Sequence, residues 1–430
     1  MICFTVIYYQ ITLLYQQIVV EVNADPSEQQ SNSKNNLYCA VAIDAGSTGT
    51  RILAVAFEKI QFIKKKTLLQ RIFCYKGFTK ECIYFKIDNY IFQKEEGGLS
   101  QYAYNEMKRE QIIRALLKQA ENFMNTNQKC GITPLLLRAT AGLRLLNDKS
   151  DEIINQVKRI FSEYSNKFKV DENSVAIMNG DDEGYYAWFT INYLFDNEMS
   201  FKKTVAVFDL GGGSLQITFY LPNSEKNITI DPKYIKLYTV MGEERKFYTY
   251  SYLGFGLMEV RTKIFKPKDN DILNVTSPCH NTNDVLTYTF NSKIYYITGS
   301  LSDGIKENYK TCQKAIKSIV EKTVGNLENM TSLNYTVAIF FFYDLGLDAK
   351  LIPTNGGFIF IKELDDAALK CFDGKFDKDQ PFKCFDLTYI YVLLHHGLGF
   401  SVYSKIAFEK YIANFELSWV LGFAYVNLRN

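Results

Sequence analysis

Two stretches of the chain share one pattern of apolar and polar positions. Tyr38–Phe57 (YCAVAIDAGSTGTRILAVAF) is an apolar run ending in Asp44, a small-residue turn, and a second apolar run from Arg51. Val205–Tyr220 (VAVFDLGGGSLQITFY) is an apolar run ending in Asp209, three glycines and Ser214, then Gln216–Tyr220. Short apolar runs bounded by glycine read as buried strands, here 38–45, 51–59, 204–208 and 216–220. Helical spacing places Ile112, Ile113, Leu116, Leu117 and Ala120 on one face of Ser100–Met124. In Pro134–Leu146 a strand (Leu135–Ala139) meets a turn (Thr140-Ala141-Gly142) and a helix start. A helix over 151–164, a short strand from Val175, the acidic turn Asp181-Asp182-Glu183-Gly184 and an apolar helix to Leu194 follow. Further helices are predicted from Phe255-Gly256 and over Ser302–Val324, Lys362–Phe372 and Asp386–His396. Val337–Asp344 reads as a strand, and Ala413–Leu428, apolar almost all round, as a buried helix. Residues 60–95 show no clean period and 74–90 read as an insertion. Residues 266–300 read as a loop-rich excursion.

With 430 residues, 47% hydrophobic and 22% charged, the chain has room for one large or two medium domains. A net charge of +2 gives no bias towards nucleic acid, and Lys64–Lys66 reads as a solvated face. The histidines His280, His395 and His396 supply poorly a zinc site or a Ser-His-Asp triad. Ile2–Val20 followed by Val22-Asn23-Ala24 reads as a signal peptide ending near Ala24, with an uncleaved anchor as the alternative. Residues 25–36 form a polar leader. Sequons at Asn227, Asn274, Asn329 and Asn334 agree with secretory entry. So do eight cysteines beyond Cys3, several of which should pair in an oxidising lumen. Cys371 and Cys384 flank a polar loop and are the first expected pair, Cys279–Cys312 the second. The partners of Cys39, Cys74, Cys82 and Cys130 stay open.

Three glycines between strands let a ligand approach the backbone closely, and their amides can form an anion nest. Asp209 at the mouth suits a divalent cation. The repeat at Asp44, a domain's length away, implies two similar lobes gripping one polyphosphate. Neither phrase is GxxxxGK[ST] or GxGxxG, so common P-loop and dinucleotide folds are not supported. Thr140 lies where ligands gather at a sheet edge, or else is a plain N-cap. The carboxylates 181–183 suit a helix dipole, and equally a general base beside a cation.

The segments AIDAGSTGTR (42–51), LLRATAGLRLL (136–146), VAIMNGDDEGYYAWFTINYL (175–194), FDLGGGSLQITF (208–219) and YLGFG (252–256), in this order, resemble the apyrases, nucleoside di- and triphosphate diphosphohydrolases. Phe342-Tyr343-Asp344, 384–389 and 418–422 look most like their soluble lumenal branch, which prefers UDP and GDP. The resemblance implies an α/β, two-lobed actin/hexokinase-like (ribonuclease H-like) fold. Each lobe is a mixed sheet flanked by helices, with the site in the cleft. Lobe I would span 37–180 and lobe II 181–412, with 413–430 returning to lobe I.

The family's roles carry over to matching residues. Glu183 is the general base, Ser214 and Gln216 orient the attacking water, and Thr140 lies near it. Asp44 and Asp209 hold Ca²⁺ or Mg²⁺ through water. Gly46, Ser47, Thr48 and Gly211, Gly212, Gly213 form the phosphate loops, with Arg51 and Arg144 nearby. The branch also pairs cysteines at positions matching Cys279–Cys312 and Cys371–Cys384. The implied substrate is a nucleoside di- or triphosphate and the implied place the ER/Golgi lumen or outside the cell. No nucleic acid partner is implied, no membrane unless the N-terminal segment is retained, and a monomer is expected. Leu215 stands where the family has Thr, and no Arg follows Asp344. The alternatives are a broad secreted apyrase acting on ATP and ADP, an exopolyphosphatase with the same loops, and a non-catalytic nucleotide-binding protein. Glu183-Gly184 with Trp188, YLGFG and the signal segment favour the apyrases.

Overall fold

A computed structural model describes residues 37–62, 82–146, 148–196, 200–222, 230–240, 242–268, 271–290, 293–300, 304–324, 335–374 and 376–428. The signal segment, the leader, Cys74 and the sequons at Asn227, Asn329 and Asn334 lie outside them.

The first sheet is built from β1 (Tyr38–Ala45), β2 (Gly49–Phe62), β3 (Cys82–Glu96), β4 (Leu135–Ala139) and β5 (Val175–Ile177), in the order β3-β2-β1-β4-β5. Helices α1 (Glu106–Thr126), α2 (Ala141–Arg144) and α3 (Ser150–Ser162) belong to the same stretch of chain, and α4 (Gly180–Phe195) leaves it. The second sheet takes β6 (Ala206–Leu210), β7 (Ser214–Tyr220), β8 (Ile235–Val240) and β9 (Glu243–Leu253). After α5 (Leu257–Lys263), strands β10 (Lys266–Lys268), β11 (Asp271–Ser277), β12 (Leu286–Phe290) and β13 (Lys293–Gly299) make a separate four-stranded sheet. Then come α6 (Ile305–Thr323), β14 (Thr336–Phe340), α7 (Phe341–Asp348), β15 (Gly357–Phe360), α8 (Ile361–Asp373) and α9 (Lys383–Val392). Strands β16 (Lys405–Phe408), β17 (Tyr411–Ile412) and β18 (Phe415–Glu416) and helix α10 (Val420–Asn427) complete the chain. The second sheet runs β15-β16-β14-β6-β7-β9-β8.

The two sheets repeat one topology. In the first, β3, β2 and β1 are antiparallel neighbours, and β4 and β5 continue parallel to β1. In the second, β9, β7 and β6 are antiparallel, and β14 and β16 continue parallel to β6. This duplicated mixed sheet is the two-lobed actin-like architecture.

Strand alternation explains the layers. Val41, Ile43, Ile52 and Ala54 pack beneath α1 and α3, while Ala40, Ala42, Leu53 and Val55 face the other way. That second face meets Val205, Val207, Val337 and Ile339 of the other sheet around α4 and α10. Alternate residues Phe208, Leu210, Leu215 and Ile217 bury against α6, α8 and α9. Strands covered on both faces carry apolar side chains at nearly every position, so β1, β2, β6 and β7 are legible in sequence. Trp188 of α4 is fully buried in the central layer, and truncation there costs about 3–5 kcal/mol. Helix α10 packs on α4, β1 and β2.

Four expectations are corrected. Residues 82–96, where no clean period is read, are a strand paired along the length of β2. A register shift between Ala56 and Phe57 leaves Asp88 as an extra residue. Phe85 and Ile87 precede the shift, Tyr90 and Phe92 follow it, and all four meet the same core. The apolar period therefore changes phase inside the strand. The excursion at 266–299 is the four-stranded sheet, with its own small core of Val275, Tyr288 and Ile297. The run Val337–Asp344 is half strand and half helix, because Phe340 takes φ 58° at the junction. The C-terminal helix begins at Val420. Before it, β17 and β18 form a hairpin whose turn puts Ala413 and Asn414 in the left-handed region. Disulfides join Cys279 to Cys312 and Cys371 to Cys384, and a third joins Cys39 on β1 to Cys130.

Candidate active site

The two hairpins carry the same device. In each, the Asp ending the first strand lies opposite a polar residue of the second: Asp44 opposite Arg51, Asp209 opposite Gln216. Each turn closes with one amide, Gly46 N–H to the Gly49 carbonyl and Gly211 N–H to the Ser214 carbonyl, both at 3.0 Å. The hairpins meet tip to tip. A Cβ at Gly212 would lie 2.7 Å from both Ser47 Oγ and Thr48 Cγ2. Only glycine allows that approach. At the start of α5 the amides of Leu257 and Met258 donate to the carbonyls of Gly211 and Gly212, at 2.9 and 3.0 Å. In planar trans peptides this turns the following N–H groups, those of Gly212 and Gly213, away from α5.

Asp44 and Asp209 are 3% exposed, and each keeps one oxygen, Oδ1 and Oδ2 respectively, buried with no hydrogen-bond partner. The other Asp44 oxygen accepts from Arg51 Nη1 at 3.2 Å. Burial raises the carboxyl of Asp44 to about 7, against the lowering effect of Arg51, and Glu183 pushes it further. Asp209 is raised well above the carboxylate range by burial, then by Glu183 and Asp44. Three buried carboxylates thus repel one another across one space, a field that a cation would relieve. Among the described residues no three His, Cys, Asp or Glu side chains converge as a ligand set.

The acidic turn at the start of α4 is sorted by its neighbours. Asp181 accepts from the Ser251 amide at 3.2 Å and pairs with Lys236. Asp182 accepts from the Tyr238 hydroxyl at 2.8 Å. Both are taken up by β8 and β9. Glu183, buried, points the other way: its Oε2 accepts from Arg144 Nη2 at 2.8 Å and from Gln216 Nε2 at 3.3 Å. Burial raises its pKa and Arg144 opposes the rise. Ser214 Oγ accepts from Gln216 Nε2 at 2.6 Å and Arg144 Nη2 at 3.2 Å, which leaves its own proton to donate.

Thr140 precedes α2 and its side chain makes no capping bond; its amide donates to the Ala45 carbonyl. It is buried at the N-cap position of α2, beside the first loop, and its carbonyl accepts the first helical amides while its hydroxyl caps nothing. Both arginines placed near the phosphates are held on carboxylates, Arg51 on Asp44 and Arg144 on Glu183. Sequence reasoning missed Ser251, which meets Gln216 Nε2 at 2.8 Å and so fixes the amide between Glu183 and Ser214. Its place in Ser251-Tyr252-Leu253-Gly254-Phe255-Gly256, next to the motif already singled out, was the available signal. Of the four sequons, that of Asn274 is on β11 with its side chain exposed.

Residues 29–334 match the family described as GDA1/CD39 (nucleoside phosphatase). The chain is 31% identical over 409 residues to the Gallus gallus protein named ectonucleoside triphosphate diphosphohydrolase 5, covering 92% of this chain and 89% of the relative. It is 31% identical over 425 residues to nucleoside-diphosphatase uda-1 of Caenorhabditis elegans, covering 92% and 83%. It is 30% identical over 399 residues to the human nucleoside diphosphate phosphatase ENTPD5, covering 91% and 87%. Among solved structures, a nucleoside triphosphate hydrolase of Neospora caninum has the same fold, with a TM-score of 0.61 at 12% identity over 99% of this chain and 96% of that one.

Proposed function

The chain belongs to the GDA1/CD39 (nucleoside phosphatase) family of hydrolases, and from that premise we propose that it removes the terminal phosphate of nucleoside diphosphates, UDP and GDP preferred. The observation that carries the reading is the setting of Glu183. Its buried carboxylate accepts from Gln216, which also donates to Ser214, beside two facing hairpins whose aspartates keep unpartnered oxygens.

In this mechanism the β-phosphate lies between the loops Gly46–Thr48 and Gly211–Gly213, and the amides not spent on closing the turns, those of Ser47, Thr48, Gly212 and Gly213, face its oxygens. Ser214 donates to a water, and Gln216, steadied by Ser251, holds the adjacent oxygens in place. The water oxygen attacks phosphorus in line, Glu183 takes its proton, and the bond to the bridging oxygen breaks, releasing the nucleoside monophosphate. Such transfer needs little covalent help and depends on positioning and charge neutralisation. A divalent cation, Ca²⁺ or Mg²⁺, fits Asp44 and Asp209, whose two orphaned oxygens suit contact through bound water. When bound, it would neutralise charge on the reacting phosphate.

The three disulfides among the described residues suit an oxidising compartment, which supports a place in the secretory-pathway lumen or outside the cell. No helix of the described residues is long and apolar enough to cross a membrane. Phosphate release from UDP, GDP, ADP, UTP, ATP and polyphosphate, with Mg²⁺ or Ca²⁺, tests the reading. It expects fast turnover of UDP or GDP, lost in Glu183→Ala. Equal turnover of ATP and ADP would make the protein a broad apyrase. Turnover of polyphosphate alone, or of nothing, would overturn the reading.

A further inference from the structure

Strand β3 brings a second cation to the first phosphate loop. In the β2–β3 register Lys94 lies directly opposite Arg51. Residues paired this way share one face of the sheet, and like charges directly opposite are destabilising. Arg51 is compensated by Asp44. Lys94 makes no salt bridge among the described residues. The residue is exposed, yet its stem does not run straight out from the sheet. The stem is drawn over the loop, so that a Cβ at Gly49 would lie 2.8 Å from Lys94 Cε. The fold therefore holds an ammonium without a contact ion pair beside a guanidinium, over the turn of the first loop.

The charged neighbours fix where along the cleft it sits. Asp44 feels Arg51, Glu183 and Arg144. Lys94 feels Arg51, Asp344 of α7, Glu416 of β18 and Lys410, and its ammonium is disfavoured by burial and by Arg51. The ladder sets Asp44, Arg51 and Lys94 side by side across β1, β2 and β3, so Lys94 lies on the far side of Arg51 from Asp44. The reacting phosphate belongs at the Glu183 end. On the nucleoside diphosphatase reading, we propose that Lys94 binds the phosphate that stays on the nucleoside, forming a second anion subsite one phosphate away from the reacting one.

The test compares Lys94→Gln, Lys94→Arg and, as a control on the same exposed strand, Lys86→Gln. Thermal protection by inorganic pyrophosphate, orthophosphate and UMP reports binding without catalysis. In the wild type, pyrophosphate protects more than orthophosphate. Lys94→Gln should lose most of the pyrophosphate and UMP protection and keep that of orthophosphate. Its KM for UDP or GDP should rise about 10-fold, the loss of one charge-assisted contact, with kcat within about two-fold. Its ligand-free Tm should stay level or rise, since the repulsion with Arg51 is gone. Lys94→Arg should bind as the wild type, and Lys86→Gln should change nothing. Unchanged pyrophosphate protection in Lys94→Gln, a fall in its ligand-free Tm, or no protection of the wild type by pyrophosphate would each overturn the subsite. If protection follows Lys94 while no nucleotide is hydrolysed, the subsite stands and the diphosphatase reading falls.

Discussion

Arg144 Nη2 lies 2.8 Å from Glu183 Oε2 and 3.2 Å from Ser214 Oγ, with both members of the ion pair largely shielded from water. One guanidinium thus sets both the charge of the base and the direction of the neighbouring hydroxyl. Arg144→Ala should leave a buried carboxylate without its partner, costing about 3–5 kcal/mol. Arg144 opposes the upward push of burial on Glu183. Without it the carboxylate takes its proton at higher pH. The acidic limb of the kcat profile should move up, and a pH–rate series beside a denaturation curve checks both effects.

The Ser251 hydroxyl meets the Gln216 amide and has no bond to Glu183 or Ser214 among the described residues. Ser251→Ala should free the Gln216 amide to turn, lowering kcat about 10-fold with little change in KM. In a Gln216→Ala background the same substitution should do almost nothing, because its route to the water is already gone. Four steady-state measurements complete that cycle, and additive losses would mean that Ser251 acts elsewhere.

Asp209 is raised by burial and by Glu183 and Asp44, so the folded chain holds this proton more tightly than the unfolded one. A raised carboxyl favours the folded state at low pH and disfavours it once the group must ionise. The chelated protein should therefore lose stability as pH rises above about 4, the ordinary Asp range. Added Mg²⁺ or Ca²⁺ should restore it. Asp209→Asn should flatten this slope, raise the Tm of the chelated protein at neutral pH, and abolish both the cation response and phosphate release. Thermal melts at several pH values with and without cation measure this.

Gly212 lies where the two loops touch, and a methyl group placed on its Cα would come within 2.7 Å of Ser47 Oγ. Gly212→Ala should push the loops apart by a fraction of an ångström. A misplacement of about 1 Å costs about 100-fold in rate, so kcat should fall by less than that. The Tm should fall little, since the strands beneath are unaffected, and kcat compared with Tm separates the two.

Legibility followed locality. The hairpins at Asp44 and Asp209 were readable because both sheet faces are covered and each turn is built from consecutive residues. Strand β3 was not readable, because the extra residue at Asp88 moves the apolar positions from one phase to the other. Strand β9 escaped notice for another reason. Its Thr249 and Ser251 are polar yet turn inward, bonding Thr218 and Gln216 across the sheet. The apolar run at 337–344 hid a strand end, since nothing in Ile339-Phe340-Phe341 announces a positive φ.

By itself the sequence determined the duplicated hairpins, their glycine turns and the residue types that chemistry at an anion requires, because these depend on neighbours along the chain. Only the tertiary structure decided which carboxylate of 181–183 turns away from β8 and β9 towards Arg144 and Gln216. That choice rests on how α4 is turned against β8 and β9, through bonds from the Tyr238 hydroxyl to Asp182 and from the Ser251 amide to Asp181. It likewise decided that Arg144 serves Glu183 and that Lys94 lies over the first loop. Such pairings join residues tens of positions apart, and no local periodicity encodes them; the packing of the sheets does.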